Sequence, residues 1–136
     1  MKFLMVIYMA FTFNAFAQHL DKHQWSDRLI LVFSPTSNDP MALEQLQELQ
    51  NKKDGLTERK IFIYHIFDNG YRSNFSTESR TPPAQLEVED RFKVMLVGLD
   101  GSEKFSADAP QKADVFLDLI DAMPMRQAEL KNNEEE

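Results

Sequence analysis

The chain has 136 residues, 43% of them hydrophobic, with 22 acidic residues against 15 basic ones and a formal charge of −7. That balance disfavours nucleic acid, whose phosphates need a basic surface, and tight contact with anionic membranes. There is no cysteine, which excludes disulfides and any catalytic cycle begun by a thiolate.

Met1-Lys2 gives a short positive region, Phe3 to Phe13 is almost wholly apolar, and Asn14-Ala15-Phe16-Ala17 ends in Ala-x-Ala. This is the pattern of a secretory signal over residues 1–17, cleaved before Gln18. The alternative, an uncleaved anchor, is disfavoured because the apolar run is short of the ~20 residues that span a bilayer. With no cysteine after the run, a lipid-anchored lipoprotein is excluded. Cleavage removes Lys2 and shifts the formal charge to −8, leaving 119 residues, enough for one domain with one core.

In the remaining chain, Leu29-Ile30-Leu31-Val32-Phe33 is a continuous apolar run, as expected of a strand covered on both faces. Asp39-Pro40 predicts a helix start, with Asp capping free N–H groups and Pro in the first turn. Leu43, Leu46 and Leu49 carry the helix to Lys53, and Asp54-Gly55 predicts its end. Ile61 to Phe67 reads as a second buried strand, so the first unit is strand–helix–strand with a right-handed parallel crossover. Asn69 to Arg80 reads as loop. Thr81-Pro82 predicts a short helix through Leu86 to about Asp90. Phe92 to Gly98 reads as a strand, Asp100-Gly101 as a two-residue hairpin turn, and Ser102 to Ser106 as the return strand. Lys112 to Ala122 predicts an amphipathic helix with Val115, Phe116, Leu119 and Ile120 on one face, closed by Met123-Pro124. Residues 130–136, ending in three glutamates, read as an acidic disordered tail.

This order predicts an α/β fold: a thioredoxin-like three-layer sandwich, with a mixed sheet of two parallel strands and a C-terminal hairpin and helices on both faces. An α/β sandwich of other topology is the alternative. The domain would span residues 18–129. Four strings carry a closer resemblance: Trp25-Ser26-Asp27-Arg28 before the first strand, Glu58-Arg59 before the second, Gly98 to Lys104, and Asp121 to Gln127. Together, over about Trp25 to Glu129, they resemble the domain of unknown function 4174. That family is similar to the C-terminal domains of animal sushi-repeat-containing proteins and of the coiled-coil-domain-containing matrix protein. The resemblance implies a thioredoxin- or peroxiredoxin-like fold without a settled activity. The family has Lys before its Asp-Gly turn, where this chain has Leu99.

Ser34, Thr36 and Ser37 occupy the loop where a thioredoxin carries its redox cysteines. Their hydroxyls and the following helix N-terminus could hold an anion or a carbonyl, or only cap the helix. His19 and His23, with Asp21 and Asp27 nearby, lack a third metal ligand of convincing spacing, so no metal or other cofactor is expected. Ser34, His65 and Asp68 have the residue types of a hydrolase triad, but the Gly-x-Ser-x-Gly elbow is absent. Arg28, Arg59, Lys104 and Arg126 lie within the family-like strings. They either gather into an anion-binding patch or pair with acids such as Asp27, Glu58, Glu103 and Asp121. Ser34, Thr36, Ser37, Arg59, Lys104 and Arg126 are therefore the candidate ligand-binding residues. Arg126 is the foremost, expected to find an internal acidic partner and to border a shallow pocket beside Lys104. The reading is a secreted or periplasmic, non-redox binding or accessory module, with an unknown protein or small anionic ligand as partner and no membrane contact after cleavage. An oxidoreductase-related activity without cysteine and an adhesion role in the envelope or matrix are the alternatives.

Overall fold

The computed structural model describes residues 21–68, 70–80 and 91–135. The expected signal, His19 and the helix expected from Thr81 to Asp90 lie outside the described residues. After a 3-10 turn at Asp21–His23 come β1 (Arg28–Phe33), α1 (Pro40–Gln50), α2 (Lys53–Glu58), β2 (Ile61–Phe67), β3 (Gly70–Ser73), β4 (Lys93–Val97), β5 (Glu103–Ala107), α3 (Ala113–Asp121) and α4 (Pro124–Glu135). The architecture is α/β, with a five-stranded mixed sheet in the order β3-β2-β1-β4-β5.

The central strand explains its own composition. β1 is parallel to β2, with Ile30 opposite Ile63, and antiparallel to β4, with Ile30 opposite Leu96. Having neighbours on both edges and side chains packed on both faces, it needs an apolar residue at every position. Ile30, Val32, Ile63, Val94 and Leu96 form one core face with Ala42 and Leu49 of α1, Leu56 of α2, and Phe116 and Ile120 of α3. Leu29, Leu31, Tyr64, Ile66, Met95 and Val97 form a second cluster on the other face. Helices were expected on both faces. Among the described residues, α1, α2 and α3 all send their buried apolar side chains to the first face, and the second cluster consists of strand residues.

Several element boundaries differ from expectation for identifiable reasons. Asp54-Gly55 does not stop a helix. The first helix ends at Gln50, and α2 runs through Gly55. Buried Leu56 holds this segment on the core, which outweighs the poor helix propensity of glycine. Between residues 69 and 80 an edge strand, β3, returns antiparallel on β2, with His65 opposite Arg72. On α3 the buried stripe is Ala113, Phe116, Leu117 and Ile120. These follow i, i+3, i+4, i+7 spacing, whereas Leu119 falls off that stripe and is exposed. α3 ends at Asp121, just before Met123-Pro124 as expected, but Pro124 also starts α4, because proline loses no hydrogen bond at the first helical position. That helix covers residues 130–135, where the acidic composition predicts an irregular end.

Candidate functional site

Ser34 leaves the end of β1 with its backbone N–H donating to the Ile66 carbonyl (3.0 Å). Its hydroxyl lies 2.7 Å from the Thr36 carbonyl and 2.7 Å from Nε2 of His65. Both residues are buried, Ser34 at 0% and His65 at 2% exposure. One hydroxyl proton cannot serve both contacts, and a carbonyl only accepts. The proton therefore goes to Thr36, and His65 Nε2–H donates to Ser34 Oγ. This direction is opposite to that of a serine nucleophile, whose hydroxyl must donate to the histidine. Among the described residues His65 Nδ1 is left as a buried acceptor with no partner, so Asp68 does not complete a triad. Burial, and secondarily the Arg72 charge, pushes the His65 pKa down to about 4, which keeps the ring neutral at ordinary pH.

The rest of this loop serves the helix. Asp39 Oδ2 accepts from the Ala42 N–H (3.1 Å), so the N-terminus of α1 already holds a carboxylate. Thr36 is exposed and Ser37 half-buried. Neither side chain makes a hydrogen bond among the described residues.

The cationic residues divide into two places. Arg28, Arg59 and Arg126 come together where β1 and β2 begin and α3 gives way to α4. Arg59 grips Asp121 with two parallel bonds, Nε to Oδ1 at 2.8 Å and Nη2 to Oδ2 at 2.9 Å. Arg28 donates to the Arg59 carbonyl (2.8 Å) and to Glu129 Oε1 (3.2 Å). Arg126 donates to Glu58 Oε1 (3.0 Å) and Glu129 Oε2 (3.3 Å), and its Nε lies 3.5 Å from Asp121. Three guanidinium groups thus meet three carboxylates. Arg28 and Arg126 are 1% and 2% exposed, a degree of burial that charged groups tolerate only with partners. The Arg59 hydrogen bonds hold Asp121 below the usual carboxylate range. Burial pushes Glu129 up, but the hydrogen bonds and charge of Arg28 and Arg126 outweigh it and leave its pKa lowered.

Lys104 is not part of this cluster. It donates to Asp100 Oδ2 (3.0 Å) across the β4–β5 turn, where the Ser102 backbone and hydroxyl, with Lys104, pull Asp100 down to about 2. The turn is not the expected two-residue one: the Gly98 N–H donates to the Ser102 carbonyl (2.9 Å), enclosing Leu99, Asp100 and Gly101, and only Gly101 takes a positive φ, 82°. The expectation of an internal acidic partner for Arg126 therefore holds with Glu58, Asp121 and Glu129, while Lys104 pairs with Asp100. The cluster is neutral in sum, as salt bridges and not as an open anion patch.

Two features were not read from the sequence. Glu129 is 101 positions from Arg28, and nothing local marks it. His23 is buried, with Nδ1 donating to Asp27 (2.8 Å) and Nε2 bonded to the Tyr64 hydroxyl (2.7 Å). With both ring nitrogens engaged, it is a packing residue. Burial raises the Tyr64 pKa to about 12. Among the described residues no group of three or more His, Asp or Glu is placed to hold a metal ion, and no helix is long and apolar enough to cross a membrane.

No curated protein matches the chain. A family model does match, and it covers residues 19–129, the span that holds the sheet, the Ser34–His65 contact and the arginine cluster up to Glu129. The chain belongs to the family described as Domain of unknown function (DUF4174).

Proposed function

We propose that this chain is an exported, non-redox binding module with a thioredoxin-like fold. The strand–helix–strand unit, followed by an antiparallel hairpin and a helix packed back on the same sheet, supports the thioredoxin-like reading. The Ser34–His65 contact carries the functional one. At the end of the first core strand, where a thioredoxin presents a thiolate, this chain has a fully buried serine. Its proton is committed to the Thr36 carbonyl. Such a group neither attacks nor exchanges electrons; it fixes the loop. A scaffold whose reactive position is used for structure is suited to holding a partner. The amino-terminal Ala15-x-Ala17 pattern supports export.

The test uses protein recovered from the exported fraction. Its mass is expected to place Gln18 at the N-terminus. It is expected to leave insulin disulfides intact and peroxide unconsumed, since no thiolate is available to start either cycle. Turnover that survives thiol-blocking reagents overturns the module reading, and an intact Met1 in a membrane-bound form overturns export.

A further inference from the structure

A groove of about 260 Å³ runs between α1 and the β2–β3 edge of the sheet. Its apolar lining is Leu43, Leu46, Ile63 and Phe75, and the polar residues that complete it include His65 and Arg72, alongside others from α1 and from the segment after β3. Leu43 is 47% exposed, an apolar side chain left in water on a helix whose other leucines pack inward. Phe75 is held in the wall by a strained turn. Asn74 takes a φ of 45°, a region asparagine visits readily, but Phe75 takes 64°, which a bulky side chain adopts only when its surroundings enforce it. Asn74 is locked on both sides of one residue, with its N–H donating to the Ile63 carbonyl (2.9 Å) and its Oδ1 accepting from the Ile63 N–H (3.0 Å).

Arg72 is the second observation. The other arginines placed in detail above, and Lys104, each meet a carboxylate. Arg72 meets none among the described residues, although the chain carries 22 acidic side chains. Its Nε donates to the Ser79 hydroxyl (3.1 Å), and its guanidinium carbon lies 5.4 Å from the centre of the Phe67 ring. The ring and the Nε bond hold the group over β3, and its terminal N–H donors meet no acceptor among the described residues. Across the β2–β3 pair stands His65, neutral and buried, its Nδ1 without a partner among the described residues. A neutral ring there adds no competing charge.

We infer that this groove binds a small amphipathic carboxylate, its apolar part against Leu43, Leu46 and Phe75 and its carboxylate on Arg72. A planar guanidinium matches a carboxylate with two parallel hydrogen bonds. The volume lies just below the ~300–1,000 Å³ of pockets that enclose drug-sized ligands. A groove of this size has room for a single ring or a short acyl chain. This inference rests on the binding-module reading and gives its ligand a chemical class.

The probe is octanoate, titrated calorimetrically and by thermal shift into the 18–136 protein, with octanol and octylamine as controls. Octanoate is expected to saturate and to raise the melting temperature, with octanol and octylamine at least tenfold weaker. Arg72→Gln is expected to weaken octanoate at least tenfold while leaving octanol unchanged. Leu43→Glu, at an exposed position that does not threaten folding, sets a like charge in the groove and is expected to abolish octanoate binding. Absence of saturation, equal affinity for octanol, or full octanoate affinity in either folded variant overturns the inference. Failure of octanoate to bind, in protein that leaves insulin and peroxide untouched, overturns the groove alone. Thiol-independent turnover overturns the module reading whatever octanoate does.

Discussion

Removing the Arg126 guanidinium tests the reasoning about the arginine cluster most directly. The side chain is nearly sealed, yet its three acids differ in their access to water. Glu58 is 64% exposed and Asp121 39% in their side chains, so water rehydrates both. Glu129 is only 18% exposed and would keep Arg28 alone. A hydrogen bond to a charged group contributes about 1.5–3 kcal/mol, and stripping one partner from a fully buried pair costs about 3–5 kcal/mol. With one of three acids left short, Arg126→Ala is expected to cost about 2–3 kcal/mol. Arg126→Lys keeps the charge but offers one ammonium to carboxylates that approach a fork from several directions. It is expected to lose more than half as much, again from the value of a charged hydrogen bond. Urea unfolding, read as a midpoint shift at constant slope, measures both. Buried pairs are screened far less than exposed ones, so the penalty is expected to persist in 1 M salt. An Arg126→Ala change below ~0.5 kcal/mol, the range of ordinary surface substitutions, or a penalty that vanishes in high salt, refutes the clamp.

Two further outcomes follow from the core and from His65. Leu31, 1% exposed in the central strand, is expected to cost about 2–5 kcal/mol on truncation to Ala in the same urea assay, and a change under ~0.5 kcal/mol would mean the second face is not packed. His65 takes up a proton in the unfolded chain near its ordinary value of 6.5 but in the folded protein only near 4. Protons therefore favour unfolding across that window, and stability present above pH 6.5 falls by about 2 kcal/mol by pH 5. Asp121 and Glu129, with folded values below their unfolded ones, add losses in the same direction at lower pH. Unfolding midpoints at pH 7 and 5 give the total, and the loss over that interval is expected to shrink in His65→Asn. A His65 ring signal that titrates near 6.5 in the folded protein would contradict the burial argument.

The strands legible in the sequence are those whose environment is written in consecutive residues. Leu29 to Phe33 and Ile61 to Phe67 are apolar at nearly every position because a central strand is covered everywhere. The Asp39 cap was legible because it rests on one side chain, and the place of the β4–β5 turn because it rests on the φ of Gly101, but its three-residue length was not, since Asp-Gly serves loops of two and of three residues alike. Gly70 to Ser73 was not legible, because a four-residue strand at the border of the sheet, met on its far side by a single bridge from Tyr71 to Arg80, needs little apolar patterning, and only Tyr71 is both large and buried. The helix through Gly55 was hidden by a residue that usually ends helices, and α4 by a proline that as readily begins one. In the arginine cluster the basic members stood out within distinctive strings, whereas Glu129 lies in an ordinary acidic helix. Its role exists only once the start of β1 and the middle of α4 meet, and no window of neighbouring residues contains that information. The burial of His23 was obscured likewise, since Tyr64 is 41 positions away.

The span from Arg28 to Glu129 also bears on how long the folded state lasts. A contact that closes nearly the whole domain bears a large loop entropy, and that entropy is met only after the sheet between its ends has formed. The ion network is accordingly a late event in folding, and its breakage an early one in unfolding. Interactions absent from the transition state act on the unfolding rate and leave the folding rate almost unchanged. The three arginines and their acids thus govern the lifetime of the native chain more than the speed with which it is reached. For a protein without a single disulfide, on the reading that it works outside the cell, such a clasp is a non-covalent means of slowing exposure to proteases.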